Sequence, residues 1–384
     1  MKHRAAFVYS PAYAAYSFGT EHPFNARRLE LTVDLLQSMG LLYPSDVEEP
    51  RPATPEQLEL KHSKQYVATV EASSRTGRPV PGAAEYGLGT EDNPVFPGMH
   101  EAASLIVGGT LTAAELVASG RYTHALSIGG GLHHAGADTA SGFCIYNDIA
   151  VAIEHLKRSY GVRVAYIDTD AHHGDGVQWL FYSDPEVLTV SVHETGRYLF
   201  PGTGYVEERG AGAGYGYSVN VPLEAFTEDD SFIEALEKVL PPVLEDFRPD
   251  IIVSQHGCDG HRLDPLTDLC LSIRSYALVP RLIHELAHAL CDGRWVAVGG
   301  GGYNIWSVVP RAWAYLWASM AERSVPEVIP HNWSAKWAPR SPVPLPQRVT
   351  DEGFPPVRRR REIEEKNRIT VARVLGGLVR RRQG

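Results

Sequence analysis

The sequence predicts an α/β fold built on a largely parallel sheet, and three observations carry that expectation. Apolar, β-branched runs alternate with helical patterns through the first 322 residues. Several of those runs are apolar throughout, as strands covered on both faces are. Four of them pass directly into polar, glycine-rich clusters. Strands alternating with helices imply crossover connections, and crossovers make neighbouring strands parallel.

In chain order, Ala5–Tyr9 is a first apolar strand, and Asn25–Ser38, Pro55–Ala72 and Met99–Ala118 carry helical apolar spacing. His124–Ile128 is a strand running into Gly129-Gly130-Gly131-Leu132-His133-His134. Asp148–Ser159 is a helix, and the strand Arg163–Ile167 leads into Asp168-Thr169-Asp170-Ala171-His172-His173-Gly174-Asp175. Strand Val187–Val192 and helix Asp230–Phe247 follow. Strand Asp250–Ser254 ends in Gln255-His256-Gly257-Cys258-Asp259. Helix Ile273–Ala289 precedes strand Arg294–Val298, which ends in Gly299-Gly300-Gly301-Gly302-Tyr303, and helix Ser307–Ala321 closes the series. No internal repeat is present. Beyond Arg323 the chain carries Trp333, Trp337, Pro339, Pro342, Pro344, Pro346, Pro355 and Pro356. Proline at that spacing excludes helix and central strand, so the stretch reads as an extended strap. Val357–Arg382 then predicts a last helix, made basic at its ends by Arg358–Arg361 and Arg380–Arg382. The chain divides into a main domain, 1–322, and a strap with a basic helix, 323–384, packed on the domain or used in assembly.

Composition narrows the function. Hydrophobic residues at 43% and charged residues at 21% exclude global disorder. Lys plus Arg is 36 against 46 Asp plus Glu, a net −10 that argues against nucleic-acid binding. The charge is uneven: Arg323–Gly384 holds 14 basic and 6 acidic residues, leaving 22 and 40 in the first 322. The basic tail reads as a solvated or oligomer-contacting segment, with an acidic partner or membrane surface as the alternative. No run of ~18 apolar residues is present, so no membrane-spanning helix is expected. The apolar run after Met1-Lys2-His3-Arg4 is too short for a secretion signal. Cys144, Cys258, Cys270 and Cys291 are scattered without a C-x-x-C, which argues against a thiolate zinc cage and for a reducing, cytoplasmic compartment.

The chemistry gathers in the four clusters. In open α/β sheets ligands bind outside the carboxyl ends of the strands, so clusters at one edge converge on one site. In extended chain, Asp168, Asp170 and His172 point to the same side. Two carboxylates and an imidazole packed together need a cation or strong hydrogen bonds. A divalent metal bound by Asp170 and His172 and completed by Asp259 is one reading, and three protein ligands leave a position for water or substrate. A network of ordinary turn carboxylates and helix caps is the other. His133 and His134 add acid–base capacity, with Asp168 and Asp175 as candidate partners. Tyr303 offers a phenol for a developing oxyanion. Two motifs are decoys. His284-Glu285-Leu286-Ala287-His288 matches H-E-x-x-H, with both histidines on one helix face. It lacks a third histidine downstream, and the nearest glutamate is Glu322, so we read a surface or crossover helix. Gly210–Gly216 departs from G-x-G-x-x-G and precedes a strand-like run, which argues against a dinucleotide site.

Together, Gly129–Ala135, Ser141–Asp148, Tyr166–Gly176, Thr189–His193, Phe200–Gly204, Gln255–Asp259 and Gly299–Asn304 resemble the ordered motifs of the zinc-dependent histone deacetylase family. The resemblance runs from roughly Val8 to Ala321, and Gly87–Gly98 with the C-terminal extension is most similar to the bacterial acetoin-utilization branch. It implies one arginase/deacetylase-type three-layer domain, with helices on both faces of a mostly parallel sheet of about eight strands. It implies Asp170, His172 and Asp259 as catalytic ligands for Zn²⁺, with Fe²⁺ as an alternative because an oxygen-rich set selects weakly. It implies His133 and His134 as the active-site pair backed by Asp168 and Asp175, with His134 as general base, and Tyr303 as the carbonyl-polarising phenol. Gly142, Phe143, Phe200 and Leu266 would form a tunnel for an acyl-lysine stem, and Arg28 would line an internal cavity. Structural K⁺ or Na⁺ would sit near Asp168, Asp170, His172 and Ser191, and farther off near Phe181, Asp184, Val187 and Tyr217. Glu91 and Asp92 would stand in the rim loop that holds the substrate backbone.

The implied reaction is metal-dependent hydrolysis of N-ε-acetyl-lysine on proteins, an acetyl-CoA synthetase among them, to lysine and acetate. A ureohydrolase needs a further aspartate two residues after the D-A-H histidine, and here His173-Gly174 follows. The acidic gatekeeper of polyamine deacetylases is replaced by Leu266 after Asp264-Pro265. An acetylated polyamine or other small amide is the alternative substrate, and a silent acetyl-lysine reader is the alternative outside enzymes. An acetylated protein is the expected partner, with no nucleic acid or membrane, and a homo-oligomer is compatible with the tail.

Overall fold

The computed structural model describes residues 5–383, and side chains as far as Gly377. Eight strands form one sheet: β1 (Ala5–Val8), β2 (Val47–Glu48), β3 (His124–Ser127), β4 (Val164–Asp168), β5 (Val187–Glu194), β6 (Ser218–Leu223), β7 (Ile251–Gln255) and β8 (Trp295–Val298). Their order is β2-β1-β3-β8-β7-β4-β5-β6, and every neighbouring pair is parallel. Strands β3, β4, β5, β7 and β8 are buried along their whole length, as their uninterrupted apolar runs require. All six strands expected from the sequence are present. The two others are β2, a two-residue pairing, and β6, whose Pro222 suits an outermost strand because proline cannot donate to a second neighbour.

The helices are α1 (Arg27–Ser38), α2 (Pro55–Leu58), α3 (Lys64–Thr76), α4 (Met99–Ala118), α5 (Asp148–Tyr160), α6 (Asp175–Leu180), α7 (Asp229–Phe247), α8 (Ile273–Leu290), α9 (Val309–Met320), α10 (His331–Trp337) and α11 (Arg360–Gln383). The single helix expected over Pro55–Ala72 is two. Thr54 and Gln57 close a capping box on α2, and Ser63 caps a new helix by accepting from the Tyr66 N–H. By length and composition α4 is apolar enough to cross a membrane, a property that counting consecutive apolar residues overlooked. Most of its surface is buried in the core, beside α5 and β3.

The strap also departs from expectation at its start. Trp333 and Trp337 lie in α10, ahead of the prolines, and are fully buried against α1. Trp333 Nε1 donates to the Leu31 carbonyl at 3.1 Å, and Trp337 Nε1 to Asp34 Oδ2 at 2.7 Å. With Leu31, Leu35, Ile305, Ile329 and Val349 they make a second apolar cluster. The chain then runs extended to Asp351, which accepts from His261 Nε2 at 3.0 Å and pairs with Arg311 Nη1 at 2.9 Å. Helix α11 lies against α7 and β6. Its Asn367 is buried, with Nδ2 donating to Thr227 and Ser231 and Oδ1 accepting from the Glu224 N–H. Arg360 pairs with Asp230, and Arg368 with Glu234. The expected basic cluster Arg380–Arg382 lies outside the described side chains.

Candidate active site

Sheet order explains why four distant clusters meet. Strands β3, β8, β7 and β4 are consecutive across the sheet, and each is followed by one cluster. Parallel strands end at the same edge, so the four loops face one another.

Strand β4 fixes the first residues. Tyr166 and Asp168 share a face, and the Tyr166 hydroxyl donates to Asp168 Oδ2 at 2.6 Å. The same oxygen accepts from His133 Nδ1 at 2.8 Å. His133 Nε2 lies 3.0 Å from His134 Nε2, and His134 Nδ1 donates to Asp175 Oδ1 at 2.6 Å. The residues expected as a histidine pair with two carboxylates therefore form one chain of hydrogen bonds. The pair is held from behind by Asp148 at the start of α5. Its carboxylate accepts from Leu132 N at 2.7 Å, from Gly131 N at 3.0 Å and from Thr110 Oγ1 at 2.6 Å. Asn147, the helix cap, donates to the His133 and Ala135 carbonyls.

Asp170, His172 and Asp259 converge. One ligand atom of each lies within 4.8 Å of the others, and all three are buried. His172 Nδ1 lies 2.9 Å from Asp259 Oδ2 and 3.2 Å from Asp170 Oδ1. Asp170 Oδ2 also accepts from Gln255 Nε2 and from the Gly301 N–H, each at 2.7 Å. A Cβ on Gly301 would stand 2.1 Å from Asp259 Oδ2, so glycine alone lets β8's loop close over the carboxylates. Two carboxylates and an imidazole on one point are a donor set for a divalent cation with an open position. The electrostatics agree. Burial opposes charge on His172, yet its hydrogen bonds to the Asp170 and Asp259 carboxylates hold its pKa well above the ordinary value. Burial and the neighbouring Asp170 push Asp259 up to about 6. Excess negative charge thus draws a proton where a cation would sit.

The histidine pair splits in the opposite sense. Burial disfavours the charge on both. Asp168, Asp170 and Asp175 outweigh it at His133, which is raised to about 9. At His134 burial is reinforced by charged His133, and the value falls to about 4. Burial pushes the Tyr303 phenol well above 10, so it keeps its proton. Asp264, singled out in the sequence only beside Leu266, accepts from the Tyr303 and Asn304 N–H groups at 2.7 and 3.2 Å and so aims that loop.

Phe143 and Phe200 flank the opening. The Phe143 ring lies 5.7 Å from Tyr303 and the Phe200 ring 5.0 Å from His134. Gly142 sits between, where a Cβ would meet His134 Cδ2 at 2.4 Å and Phe200 at 3.0 Å. Leu266 is half-buried on the Asp264 turn. His22 packs on Phe143 and reaches the Asp92 carbonyl at 3.3 Å, while Glu91 and Asp92 are exposed. Arg28 lines a cavity of about 20 Å³ behind His133, His134 and Tyr303, and donates to the Gly302 carbonyl at 3.0 Å. Ser191 pairs in register with Asp168. Phe181, Asp184 and Val187 lie on the path from α6 into β5, and the Tyr217 carbonyl accepts from Thr189. Clefts of about 640 and 540 Å³ lie elsewhere, beside α11 and beside the strap.

Sequence alone missed Tyr166, Gln255, Asp148 and Asp264 as supports. Tyr166 had a signal, its two-residue spacing from Asp168, and Gln255 opened one of the four clusters; Asp148 meets the histidine loop only through the fold.

Comparison with known proteins agrees with this architecture. The histone deacetylase domain profile matches residues 22–320. The acetoin utilization protein AcuC of Bacillus subtilis is 53% identical over 373 residues, 97% of this chain and 96% of its own. The crystal structure of an HDAC homolog from Aquifex aeolicus is similar with a TM-score of 0.86 and 32% identity, covering 95% of this chain and 99% of that one. A crystal structure of an HDAC homolog complexed with SAHA has the same TM-score and coverage at 31% identity.

Proposed function

This chain belongs to the histone deacetylase family, in its acetoin-utilization branch, and on that premise we propose that it hydrolyses N-ε-acetyl-lysine on proteins to lysine and acetate. The observation that carries the reading is the placement of the His133–His134 pair beside the convergent Asp170–His172–Asp259 group. That group would hold Zn²⁺ or Fe²⁺, and when bound the ion supplies Lewis acidity and a water of lowered pKa.

The remaining work falls to side chains. Phe143 and Phe200 sheathe the apolar lysine stem. His134 is neutral, with Nδ1–H fixed on Asp175; its Nε2 lone pair, 3.0 Å from His133 Nε2, takes the proton of the attacking water when the water displaces that contact. Tyr303 donates a hydrogen bond to the acetyl oxygen as negative charge develops. His134 then passes its proton to the amine nitrogen, the C–N bond breaks, and acetate and a free lysine amine leave. His133, charged and held by Asp168, stabilises the developing anion. An acetylated metabolic enzyme, such as an acetyl-CoA synthetase, is the substrate in keeping with the branch. Four free cysteines, three of them buried, fit a reducing cytoplasmic setting.

The test is turnover of a fluorogenic acetyl-lysine peptide by metal-free, Zn²⁺-loaded and Fe²⁺-loaded protein. Turnover is expected only with metal. It should vanish in Asp170→Ala and fall roughly 10²- to 10³-fold in kcat in Tyr303→Phe. SAHA is expected to inhibit it. Turnover of acetylated polyamines but not of the peptide would redirect the reading to small amides. Acetyl-lysine binding without turnover, with the ion in place, would overturn the enzymatic reading.

A further inference from the structure

Helix α8 carries the H-E-x-x-H sequence, and its two histidines meet a third from the sheet. His284 and His288 stand four residues apart on one helix face and turn towards His124, the first residue of β3, which is fully buried. His288 Nε2 lies 3.2 Å from His284 Nε2 and 3.3 Å from His124 Nε2. One ring nitrogen of each of the three lies within 4.8 Å of the others. Nitrogens bound tetrahedrally at the usual Zn–N length are about 3.3 Å apart. A hydrogen bond between two rings uses one proton and one lone pair; a cation at the centre takes a lone pair from all three.

The surroundings hold the rings in place. Trp295 packs on His124 and His284, with centroids 5.7 and 6.1 Å away. Gly293 leaves room for His288, since a Cβ there would lie 2.8 Å from its Cε1. Glu322 Oε1 stands 4.0 Å from His284 Nε2, at the margin of the cluster. Glu285, the glutamate of the motif, instead accepts from Arg281 Nε at 3.0 Å on the exposed face, so the protease chemistry does not apply. His124 and Trp295 open their strands, which places the cluster at the sheet edge opposite the catalytic loops.

We propose that His124, His284 and His288 form a second metal site, which takes a divalent first-row transition ion, with Glu322 or water completing it. Three imidazoles suit Zn²⁺, Cu²⁺ or Ni²⁺. The ion would fasten α8 to β3 without touching the reaction.

The test counts metal on the full-length protein. Metal-free protein is equilibrated with Zn²⁺, desalted and assayed by mass spectrometry of the metal. Wild type is expected to hold two equivalents, H284N/H288N one with acetyl-lysine turnover retained, and D170A/D259A one. Cu²⁺ bound to D170A/D259A should show nitrogen hyperfine structure in its electron paramagnetic resonance spectrum, absent when H284N/H288N is added. Equal Zn²⁺ on wild type and H284N/H288N would overturn the proposal. So would a folded D170A/D259A protein that binds none.

Discussion

His133 and His134 are chain neighbours held at opposite ends of the imidazole range, about 9 and about 4. The sign of each shift sets a pH profile. His134 is neutral and able to take a proton above about 4, and His133 keeps its charge up to about 9. kcat/KM should therefore stay high across neutrality, with an alkaline limb at or below pH 9, because a cation on Asp170 removes part of what raises His133. His133→Gln should lower kcat and abolish that limb, and should move the acid limb to higher pH, because charged His133 helps hold His134 down. Asp148 is the second test at this scale. Asp148→Ala strips the acceptor from two buried N–H groups behind the pair and should cost about 3 kcal/mol in a urea melt, with a fall in kcat. The alternation of Asp168, Asp170 and His172 is visible in the sequence because extended chain has a fixed period. The contact of Asp148 with the Gly131 and Leu132 N–H groups is not, because nothing local ties it to residues it meets only in the folded sheet.

Element by element, the regular segments were readable where one local signal dominates. All six expected strands begin within one residue of their positions, and β1, β3 and β5 begin on the residue expected, because apolar β-branched runs at that length favour strands. The Pro55–Ala72 stretch misled because its apolar spacing continues through the turn at His62, where Ser63's hydroxyl restarts the helix. The strap shows what an element can do without regular structure. Asp351 joins it to His261, two residues beyond Asp259 of the convergent acidic group. Burial raises a carboxyl's pKa, but here His261 and Arg311 outweigh it and hold Asp351 at about 2. A depressed value contributes stability that is present above the ordinary carboxyl pKa and is lost as pH falls through about 2. Asp351→Asn should therefore be less stable than wild type at pH 7, and urea melts at pH 7, 4 and 2.5 should show the gap closing as pH falls.

At the scale of the molecule, α11 backs the outermost strand β6 and buries Val371 and Val374. Removing residues 357–384 should lower Tm by roughly 5 °C and promote self-association, read by thermal melting and light scattering. Strand order has a different consequence. The last strand to be made, β8, lies in the middle of the sheet, between β3 and β7. Until β8 is made, no strand joins the β2-β1-β3 group to the β7-β4-β5-β6 group. Asp170, His172 and Asp259 ride on one group, His133 and His134 on the other, and Tyr303 arrives with the strand that joins them. The Asp170–His172–Asp259 group thus lies wholly on strands made before the one that links it to the His133–His134 pair. The two halves of the proposed site are joined only once Trp295–Val298 has been added between them.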